Sequence, residues 1–568
     1  MALKKFYLRL EAVNLDNFVY DTNNLSVIRG GGLMLLELPE HARQKLKEYQ
    51  SNHPDRIKKL TTISKGASWG LFSIELKDEK QDCVPSELAE ILREALKNTY
   101  NITLTQKKIN ICFKDSKGAT REIDWPTEDM LEVAYAPKHA TVMVEAYGSQ
   151  EEEETFQDIR EKLLAKLRWR QMQSPSIAFP TVVTGPVEVK KEDGTTESRY
   201  VCELDLVRPA AEQSEYKIKG QKRAVSSSSY ARYKYGAWGK SDQWYEKITG
   251  LNNLPLFTHD FHEIANNIGQ NQKELSLLEG KMAVIYLDGN NFGKLQQEKC
   301  KTPENQTKFD KKLREKYQNR ALKHLLEIIK NDKDWINPKC QFLGAKNKNE
   351  TTPKIRLETL LWGGDELIWV APAWRGWWLL GKYFQLVEGK LDGEHWEFEG
   401  VPLTFGAGIV FCHNTAPIYR IKNIAWQLAE EAKSVSREKN LAAVQVLESY
   451  DLAGTDFERF RKERRPLGVP VQDLLIKGGN MLEIAELFTT IKKELPRRQL
   501  YRLIKALLRG EKNKTQYNTL IKGLSESAQN NLECLESCFP SEKAMWFHLL
   551  ELWDYLIVPS SPQGGQTP

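Results

Sequence analysis

The chain has 568 residues, with 82 lysine and arginine residues against 77 aspartate and glutamate residues, a formal net charge of +5. This length suits three or four domains, and so small a net charge gives no overall sign of a nucleic-acid binder. The eight cysteines lie far apart without C-x-x-C pairs, which argues for a reducing compartment and against structural zinc. No apolar run approaches the roughly 18 residues of a membrane span, so we expect a soluble, cytoplasmic protein with no membrane partner.

The first part of the chain predicts a ferredoxin-like unit. Residues 4–13 alternate as a strand, and further strands are predicted at 58–64, 69–76 and 140–146. Helices are predicted at 42–50 and 86–98, and a turn at Ile28-Arg29-Gly30-Gly31-Gly32. The tip between the second and third strands, Lys65-Gly66-Ala67-Ser68, carries no acid.

The middle of the chain contains a basic segment with interleaved aromatic residues. A charged helix is predicted at 154–173, and residues 175–209 are β-rich with a turn at 192–195. Segment 216–240 contains no acid, four aromatic residues after position 229, and the cations Lys217, Lys219, Lys222, Arg223, Arg232, Lys234 and Lys240. Cations neutralise phosphates while aromatic rings stack bases, which favours nucleic-acid binding through Lys222, Arg223, Arg232 and Lys234. A flexible linker whose serines 226–229 do not pack in a core is an equal alternative.

Two apolar runs in the second half each lead into carboxylates. Residues 283–287 precede Asp288, and two apolar runs flank Gly363-Gly364-Asp365-Glu366, which is typical of a β-hairpin with acids at its tip. If these strands are neighbours, Asp288, Asp365 and Glu366 converge at one edge of a sheet. Such a cluster is electrostatically unfavourable except around divalent cations, and the glycines allow a triphosphate to approach the backbone closely.

This pattern resembles a known family. The Gly363–Glu366 hairpin, together with Asp288-Gly289-Asn290-Asn291, is similar to the palm domain shared by GGDEF cyclases and the large polymerase subunit of type III CRISPR complexes. The strand at 403–410, the loop at 413–417 and the helix at 425–440 with its phosphate-directed Lys433 resemble the CRISPR branch. The first unit resembles that subunit's first palm, without a metal site. Two surface hairpins with chance acids are the alternative.

The resemblance implies a nucleotidyltransferase that joins NTPs, with ATP expected, into cyclic oligonucleotide signals used in antiviral defence. Asp288, Asp365 and Glu366 would be the catalytic residues, and the same three with the Gly289 carbonyl would hold Mg²⁺ or Mn²⁺. The expected nucleotide-binding residues are Gly289, Asn290, Asn291, Phe292, Gly293, Gly363, Gly364 and Lys433, joined by Arg29 and Gly30 from the first palm. Expected partners are guide or target RNA and other CRISPR effector subunits.

The chain departs from the family pattern at several places. Family members often begin with an HD nuclease domain, but here the first palm strand starts near Met1, and we interpret His259-Asp260 as a helix start. Only Cys202 lies where the family often carries a zinc ribbon, so zinc is not expected. The GGDE tip differs from the GGDD sequence commonest in the CRISPR branch.

Between Asp288 and Gly363 the sequence predicts an insertion with an amphipathic helix at 309–329, forming a lid or side lobe with nothing catalytic in it. Residues 448–557 are predicted to be helical. In 498–509 one face is apolar while Arg498, Arg502, Lys505 and Arg509 line another. That stripe suits a nucleic-acid backbone at Arg498 and Arg502, or an ordinary solvated helix face.

The predicted fold class is α+β, with two ferredoxin-like palms, a β-rich and basic middle region and a C-terminal helical domain. The predicted boundaries are a first palm at 1–175, the middle region at 176–275, the second palm at 276–450, the helical domain at 451–558 and a disordered tail at 559–568. Two other functions remain open. One is a non-enzymatic RNA-binding scaffold of a type III-like complex, which would not need the acids; the other is a GTP-using, diguanylate-cyclase-like enzyme.

Overall fold

The protein is described here by a computed structural model. It describes residues 5–77, 84–98, 100–105, 109–114, 120–125, 130–148, 154–173, 186–190, 194–211, 216–218, 221–239, 244–252, 254–268, 273–341, 351–449, 456–464, 469–508 and 514–557. The tail at 559–568, most of the turn at 192–195, and Lys219, Lys240 and Arg509 lie outside these ranges.

The first unit has the βαββαβ order of a ferredoxin-like fold. In chain order its elements are β1 (Lys5–Val13), α1 (Leu15–Val19), α2 (Leu25–Asn52), β2 (Ile57–Lys65), β3 (Trp69–Leu76), α3 (Val84–Leu96), β4 (Tyr100–Thr105), β5 (Ile109–Lys114), β6 (Thr120–Trp125), β7 (Met130–Tyr135), β8 (Thr141–Tyr147) and α4 (Phe156–Gln173). The main sheet is antiparallel in the order β2-β3-β1-β8, while β4 pairs with β7 and β5 with β6.

The alternation of β1 explains how both faces of this sheet are covered. Phe6 and Leu8 belong to the main core together with residues of α2 and α3. Tyr7, one position along and therefore on the opposite face, packs against Phe156 of α4. The predicted strands and the helix at 86–98 are confirmed to within a few residues.

Helix α2 differs from its prediction. It runs from Leu25 to Asn52 rather than over 42–50, and the Arg29-Gly30-Gly31 turn predicted within it is helical. Glycine costs about 1 kcal/mol in a helix interior. The helix tolerates this cost because a Cβ on Gly30 would lie 1.8 Å from the Arg232 carbonyl oxygen of a second helix. These glycines therefore allow close helix packing.

That second helix lies in the middle region. The elements of this region are β9 (Val187–Lys190), β10 (Thr196–Arg199), β11 (Lys217–Ile218), β12 (Gln221–Lys222), α5 (Ser227–Gly239), α6 (Tyr245–Thr249), β13 (Leu256–Phe257) and α7 (Phe261–Ala265). The linker alternative is wrong for 221–239. Helix α5 packs along α2, and Ser226 and Ser229 are buried with their hydroxyls donating to the Asp205 carboxylate at 3.2 and 2.6 Å.

The second unit contains the carboxylate motifs. Its elements are β14 (Lys281–Gly289), α8 (Phe292–Lys299), α9 (Pro303–Lys311), α10 (Asn319–Ile329), β15 (Ile336–Gln341), β16 (Thr351–Ile355), β17 (Glu358–Gly363), β18 (Glu366–Pro372), α11 (Ala373–Val387), β19 (Glu397–Phe398), β20 (Val401–Pro402), β21 (Phe405–His413), α12 (Ile418–Val435) and β22 (Leu441–Val446). A π-helical stretch, Lys312–Gln318, joins α9 to α10.

The C-terminal region is helical, as predicted. Its elements are α13 (Phe457–Arg464), the short strand β23 (Ile476–Lys477), α14 (Met481–Glu494), α15 (Arg497–Leu508), α16 (Lys514–Lys522), α17 (Glu526–Ser537) and α18 (Glu542–Glu551). Helix α14 packs on α11, which ties this region to the second unit. None of the helices within the described ranges is long and apolar enough to cross a membrane.

The central sheet of the second unit has the order β17-β18-β14-β21-β22-β23. Its first four strands repeat the order of the first unit's sheet, and β22 adds in parallel beside β21 after the α12 crossover. The predicted class, α+β with two ferredoxin-like units and a helical C-terminal region, is confirmed. The central position of β14 places Asp288 between the hairpin and β21.

Candidate active site

The sheet brings the two carboxylate motifs together. Asp288 on β14 is the direct cross-strand partner of Glu366 on β18, and the Gly289 N–H donates to the Asp365 carbonyl oxygen at 3.0 Å. Cross-strand partners project from the same face of a sheet. Gly364 begins the two-residue tip with φ +59°, a conformation that glycine adopts without strain. The predicted convergence of the acids at one sheet edge is present.

One lysine neutralises part of this cluster. The Lys433 ammonium lies 2.5 Å from Asp288 Oδ2 and 3.1 Å from Glu430 Oε1. Burial raises the pKa of Asp288 to about 6, although Lys433 works in the opposite direction and the charges of Asp365 and Glu366 add to the rise. Burial also raises the pKa values of Asp365 and Glu366. Lys422 also acts on Glu366, so three acids face two lysines and negative charge remains in excess.

A tyrosine that the sequence analysis missed supports Glu366. The Tyr286 hydroxyl donates to Glu366 Oε1 at 2.7 Å. Its position was available in the sequence, because Tyr286 lies two residues before Asp288 on one strand and therefore on the same face. Burial, followed by the charge of Glu366, raises the pKa of Tyr286. Tyr286 therefore stays protonated and acts as a hydrogen-bond donor to the carboxylate.

Two glycines on β21 determine how closely α12 approaches the acids. A Cβ on Gly408 would lie 1.9 Å from the Ala425 carbonyl oxygen, and one on Gly406 would lie 2.5 Å from Lys433 Cγ. The bare backbone at these positions lets the helix lie directly on the strand. Lys433 can then extend across β21 to reach Asp288 on the next strand.

The turn after Asp288 divides into packing residues and exposed residues. Asn290 is buried, and its amide nitrogen donates to Thr404 Oγ1 at 3.0 Å and to the Lys439 carbonyl at 3.2 Å. Phe292 is buried beneath Gly289, so its side chain contributes packing rather than ligand contact. Asn291, with φ +57°, and Gly293 are exposed at the start of α8. The first N–H groups of a helix have no intrahelical acceptor and suit a phosphate.

A cavity of about 410 Å³ opens beside Glu366, between the two ferredoxin-like units. The first unit lines it with Leu15, Asp16, Val19, Tyr20, Gly32, Leu35, Ala67 and Ser68. The second unit lines it with Tyr286, Leu360, Leu361, Glu366 and Ile368, and with Lys422, Asn423, Trp426 and Gln427 from one face of α12. The two hairpin tips meet here, because a Cβ on Gly363 would lie 2.5 Å from Ala67 Cβ.

The α12 face supplies aromatic and cationic groups that the sequence analysis also missed. Trp426 is 45% exposed although it lines the cavity. The Lys422 ammonium lies 2.6 Å from Asp16 Oδ1 and 4.7 Å from the centre of the Tyr20 ring. The spacing of residues 422, 423, 426 and 427 places them on one helix face. Nothing in the sequence, however, showed that this face meets the first unit.

Arg29 and Gly30, which were predicted to form a nucleotide-binding turn, lie inside helix α2 and do not line the cavity. Arg29 Nε donates to Glu358 Oε2 at 3.0 Å, the two side chains are each 1% exposed, and Arg29 Nη2 donates to the Thr258 carbonyl at 2.6 Å. The predicted close-approach turn for a nucleotide is wrong, because these residues lie inside α2. Arg29 instead joins the first unit to the first residue of β17, while Gly32, one turn along the helix, reaches the cavity.

The predicted nucleic-acid residues fall into two groups. Arg232 is fully buried, with Nη1 2.8 Å from Asp21 Oδ1, and cannot meet a phosphate. Lys222 and Arg223 are exposed, although Arg223 lies 3.0 Å from Glu203, and Lys234 is half-buried over the Tyr230 ring. Arg498 and Arg502 are exposed on α15.

The carboxylate oxygens of Asp288, Asp365 and Glu366 are the kind of ligand that a hard divalent cation prefers. Within the described ranges, no group of three or more His, Cys, Asp or Glu side chains stands close enough together to hold an ion on its own. Mg²⁺ characteristically takes only one or two protein carboxylates and completes its shell with water and substrate phosphates. Asp288 and Asp365, with Glu366 beside them, offer that kind of partial site. Lys433 is the group that such an ion would have to displace from Asp288.

Comparisons with known proteins returned no matching family model and no curated relative. Similar solved structures include the Csm1-Csm4 cassette in complex with cA4, with a TM-score of 0.48 and 13% identity over 98% of this chain and 70% of that one. Csm1 in T. onnurineus has a TM-score of 0.45 and 12% sequence identity, over 98% of this chain and 69% of that one. The Csm1-Csm4 subcomplex in the type III-A CRISPR-Csm interference complex has a TM-score of 0.43 and 13% sequence identity, over 97% of this chain and 70% of that one.

Proposed function

We propose that this chain is a divalent-metal-dependent nucleotidyltransferase that joins NTPs, ATP above all, into cyclic oligonucleotides within a type III CRISPR-like defence system. The cross-strand pair of Asp288 and Glu366 carries the proposal. Together with Asp365 it places carboxylates at one end of a palm-like sheet, and Glu366 lines the cavity that lies between this sheet and the first unit. The motif resemblance in the sequence supports the same reaction.

The reaction joins a 3′-hydroxyl to the α-phosphorus of a second NTP. The new oxygen–phosphorus bond forms as the bond to the β-phosphate breaks, and pyrophosphate leaves. Glu366 accepts the proton of the attacking hydroxyl, an assignment supported by its raised pKa and by the Tyr286 hydrogen bond that orients it. Asp288 and Asp365 would hold Mg²⁺ or Mn²⁺, which when bound supplies charge stabilisation to the phosphoryl oxygens.

Lys433 has a second role in this proposal. Its ammonium neutralises Asp288 in the absence of a ligand. With a cation held by the carboxylates, Lys433 would be free to offset the charge of the triphosphate. The exposed start of α8 at Asn291 and Gly293 offers backbone N–H groups to the same phosphates.

The direct test is incubation of the pure protein with each NTP and Mg²⁺ or Mn²⁺, followed by mass spectrometry of the products. Asp365→Ala should lower turnover at least about a hundredfold, since loss of a metal ligand removes several kcal/mol of transition-state stabilisation. Glu438→Ala, an exposed acid on the same unit, is the matched control and should leave turnover unchanged. Turnover unaffected by Asp365→Ala contradicts the site, and products from GTP alone favour a diguanylate-cyclase-like enzyme.

We further propose RNA and other CRISPR effector subunits as partners that regulate the reaction. Among the predicted nucleic-acid residues in the described ranges, Lys222, Arg223, Arg498 and Arg502 are exposed and Lys234 is half-buried. If all five met phosphates, the log–log salt slope for single-stranded RNA would be no steeper than about −3.5, from about −0.7 per phosphate. Salt-independent binding, or no binding, would exclude an RNA contact at these residues.

A further inference from the structure

The helical segment 303–318, formed by α9 and the π-helical stretch, reaches both hairpin tips beside the cavity. It belongs to the insertion for which the sequence predicted no catalytic part. We propose that this segment, called the brace below, fixes the position of one tip relative to the other, with Asp310 and Gln318 as positioning residues. The inference rests on the proposed function for its effect on catalysis.

At one end the brace holds the tip of the second unit. Gln318 is fully buried, and its amide nitrogen donates to the Gly364 carbonyl oxygen at 2.7 Å. Gly364 directly precedes Asp365. The next residue, Asn319, accepts a hydrogen bond from the Trp362 indole N–H at 3.3 Å, on the strand that leads into the tip.

At the other end the brace holds the tip of the first unit. Asp310 Oδ1 accepts from the Ser64 hydroxyl at 3.1 Å, and Oδ2 accepts from the Lys65 N–H at 3.4 Å. The Thr307 hydroxyl donates to the Ile63 carbonyl at 3.1 Å. These contacts lie at the end of β2, directly before Ala67 and Ser68 of the cavity wall.

The middle of the brace is anchored in the core of the second unit. Phe309 packs edge-on against Phe292 and Phe398, with ring centres 5.9 and 5.0 Å apart. Tyr317 stacks on Trp396 at 5.0 Å, and its hydroxyl donates to the Glu397 carbonyl at 3.0 Å. Apolar contacts therefore fix the segment, while its polar side chains at 310 and 318 act on the tips.

The segment that carries Gln318 departs from regular α-helical geometry. A π-helix inserts extra backbone into a turn and rotates the following side chains relative to a regular α-helix. Such insertions are rare and occur often at functional sites. Here the stretch ends at Gln318 and directly precedes α10.

Positioning matters at this place because Asp365 stands on the two-residue tip and Glu366 directly follows it at the start of β18. A displacement of about 1 Å in a reacting group can cost about a hundredfold in rate. The Gln318 and Asp310 bonds restrain the two tips from one rigid segment. Loosening either tip therefore changes the same distance across the cavity.

The test uses the full chain with Gln318→Met, which keeps the side-chain length without an N–H donor, and Asp310→Asn. Each should lower kcat for NTP turnover about tenfold or more while KM stays within about twofold and Tm within a few degrees. The double variant should lose little more than the worse single variant, because both act through one distance. Glu315→Gln, exposed on the same π-helical turn, is the matched control and should match the wild type.

Hydrogen exchange gives a readout that does not depend on turnover. Gln318→Met should speed exchange in a peptide covering residues 363–366, and Asp310→Asn in one covering 64–68. If the wild type shows no turnover, the proposed function fails, yet the exchange result still decides whether the brace holds the tips. The proposal would be overturned if hydrogen exchange at the tips or kcat were unchanged in the variants. It would also be overturned if the loss of kcat only followed the loss of Tm, or if the double variant lost kcat by the product of the two single-variant factors.

Discussion

Replacing Asp288 with asparagine should stabilise the metal-free protein at neutral and alkaline pH. Burial raises the pKa of this carboxyl from 3.8 to about 6 despite the adjacent Lys433. The folded state therefore binds the proton more tightly than the unfolded state, and the contribution of this group to stability is lost as pH rises from 3.8 through 6. Each unit of pKa difference between the folded and unfolded states corresponds to about 1.36 kcal/mol. The deprotonated carboxylate therefore costs the folded state about 3 kcal/mol at pH 8.

Thermal or urea unfolding of wild type and Asp288→Asn in EDTA measures this cost. Between pH 5 and pH 8 the advantage of the variant should grow by about 1.4 kcal/mol, or about 3–6 °C if the second unit unfolds cooperatively. Glu430→Gln removes the more exposed partner of Lys433 and should change stability by less than about 1 kcal/mol. A variant less stable than the wild type at pH 8 would show that the Lys433 ion pair outweighs burial, and would refute the reasoning. Mn²⁺ should raise the Tm of the wild type but not of Asp288→Asn.

Three further changes test other parts of the structure. Trp426→Ala should raise KM for NTP about tenfold or more, because stacking a base on an aromatic ring contributes about 1–3 kcal/mol. Trp426→Phe should retain most of the binding. Equal KM values for wild type and Trp426→Ala would show that Trp426 does not stack on the base. Gly408→Val should lower Tm and turnover together, since even its Cβ would lie 1.9 Å from the Ala425 carbonyl oxygen. Arg232→Ala should cost about 3–5 kcal/mol of stability, because it removes a fully buried guanidinium and leaves Asp21, whose side chain is 9% exposed, with one partner fewer. Lys222→Ala, at an exposed position, should cost less than about 0.5 kcal/mol, and both are measured by urea unfolding.

Local sequence patterns were sufficient for the strands and for the acids they carry. A run such as 283–287 is hydrophobic at every position, which is typical of a strand buried on both faces, and Asp288 is the first charged residue after it. A Gly-Gly-Asp-Glu tip between two such runs requires a hairpin, and strand alternation then places acids on one face. Because these features depend only on neighbouring residues, the sequence alone determined the strands, the hairpin and the three carboxylates they carry. The pairing of β14 with β18, which brings the carboxylates together, is a tertiary contact.

Features that depend on a distant partner could not be predicted in this way. Gly30 reads locally as a turn residue, but its role depends on the backbone of Arg232, about 200 residues away, which packs against it. Arg232 and Arg29 look like exposed cations until Asp21 and Glu358 are placed beside them. In each case local propensity favours one structure, and a tertiary contact of larger free energy selects another.

The walls of the cavity were likewise decided only by the tertiary structure. Trp426 and Lys422 lie on a helix face whose pattern fits solvent, and Gln318 lies in an insertion without a motif. The approach of the first unit turns the α12 face into a cavity wall, and Gln318, at the end of the π-helical stretch, donates to the Gly364 carbonyl oxygen. The sequence thus determined which acids stand at the sheet edge. Which residues surround them was decided by packing between segments hundreds of residues apart, because side-chain contacts of that range leave no periodic pattern in the chain.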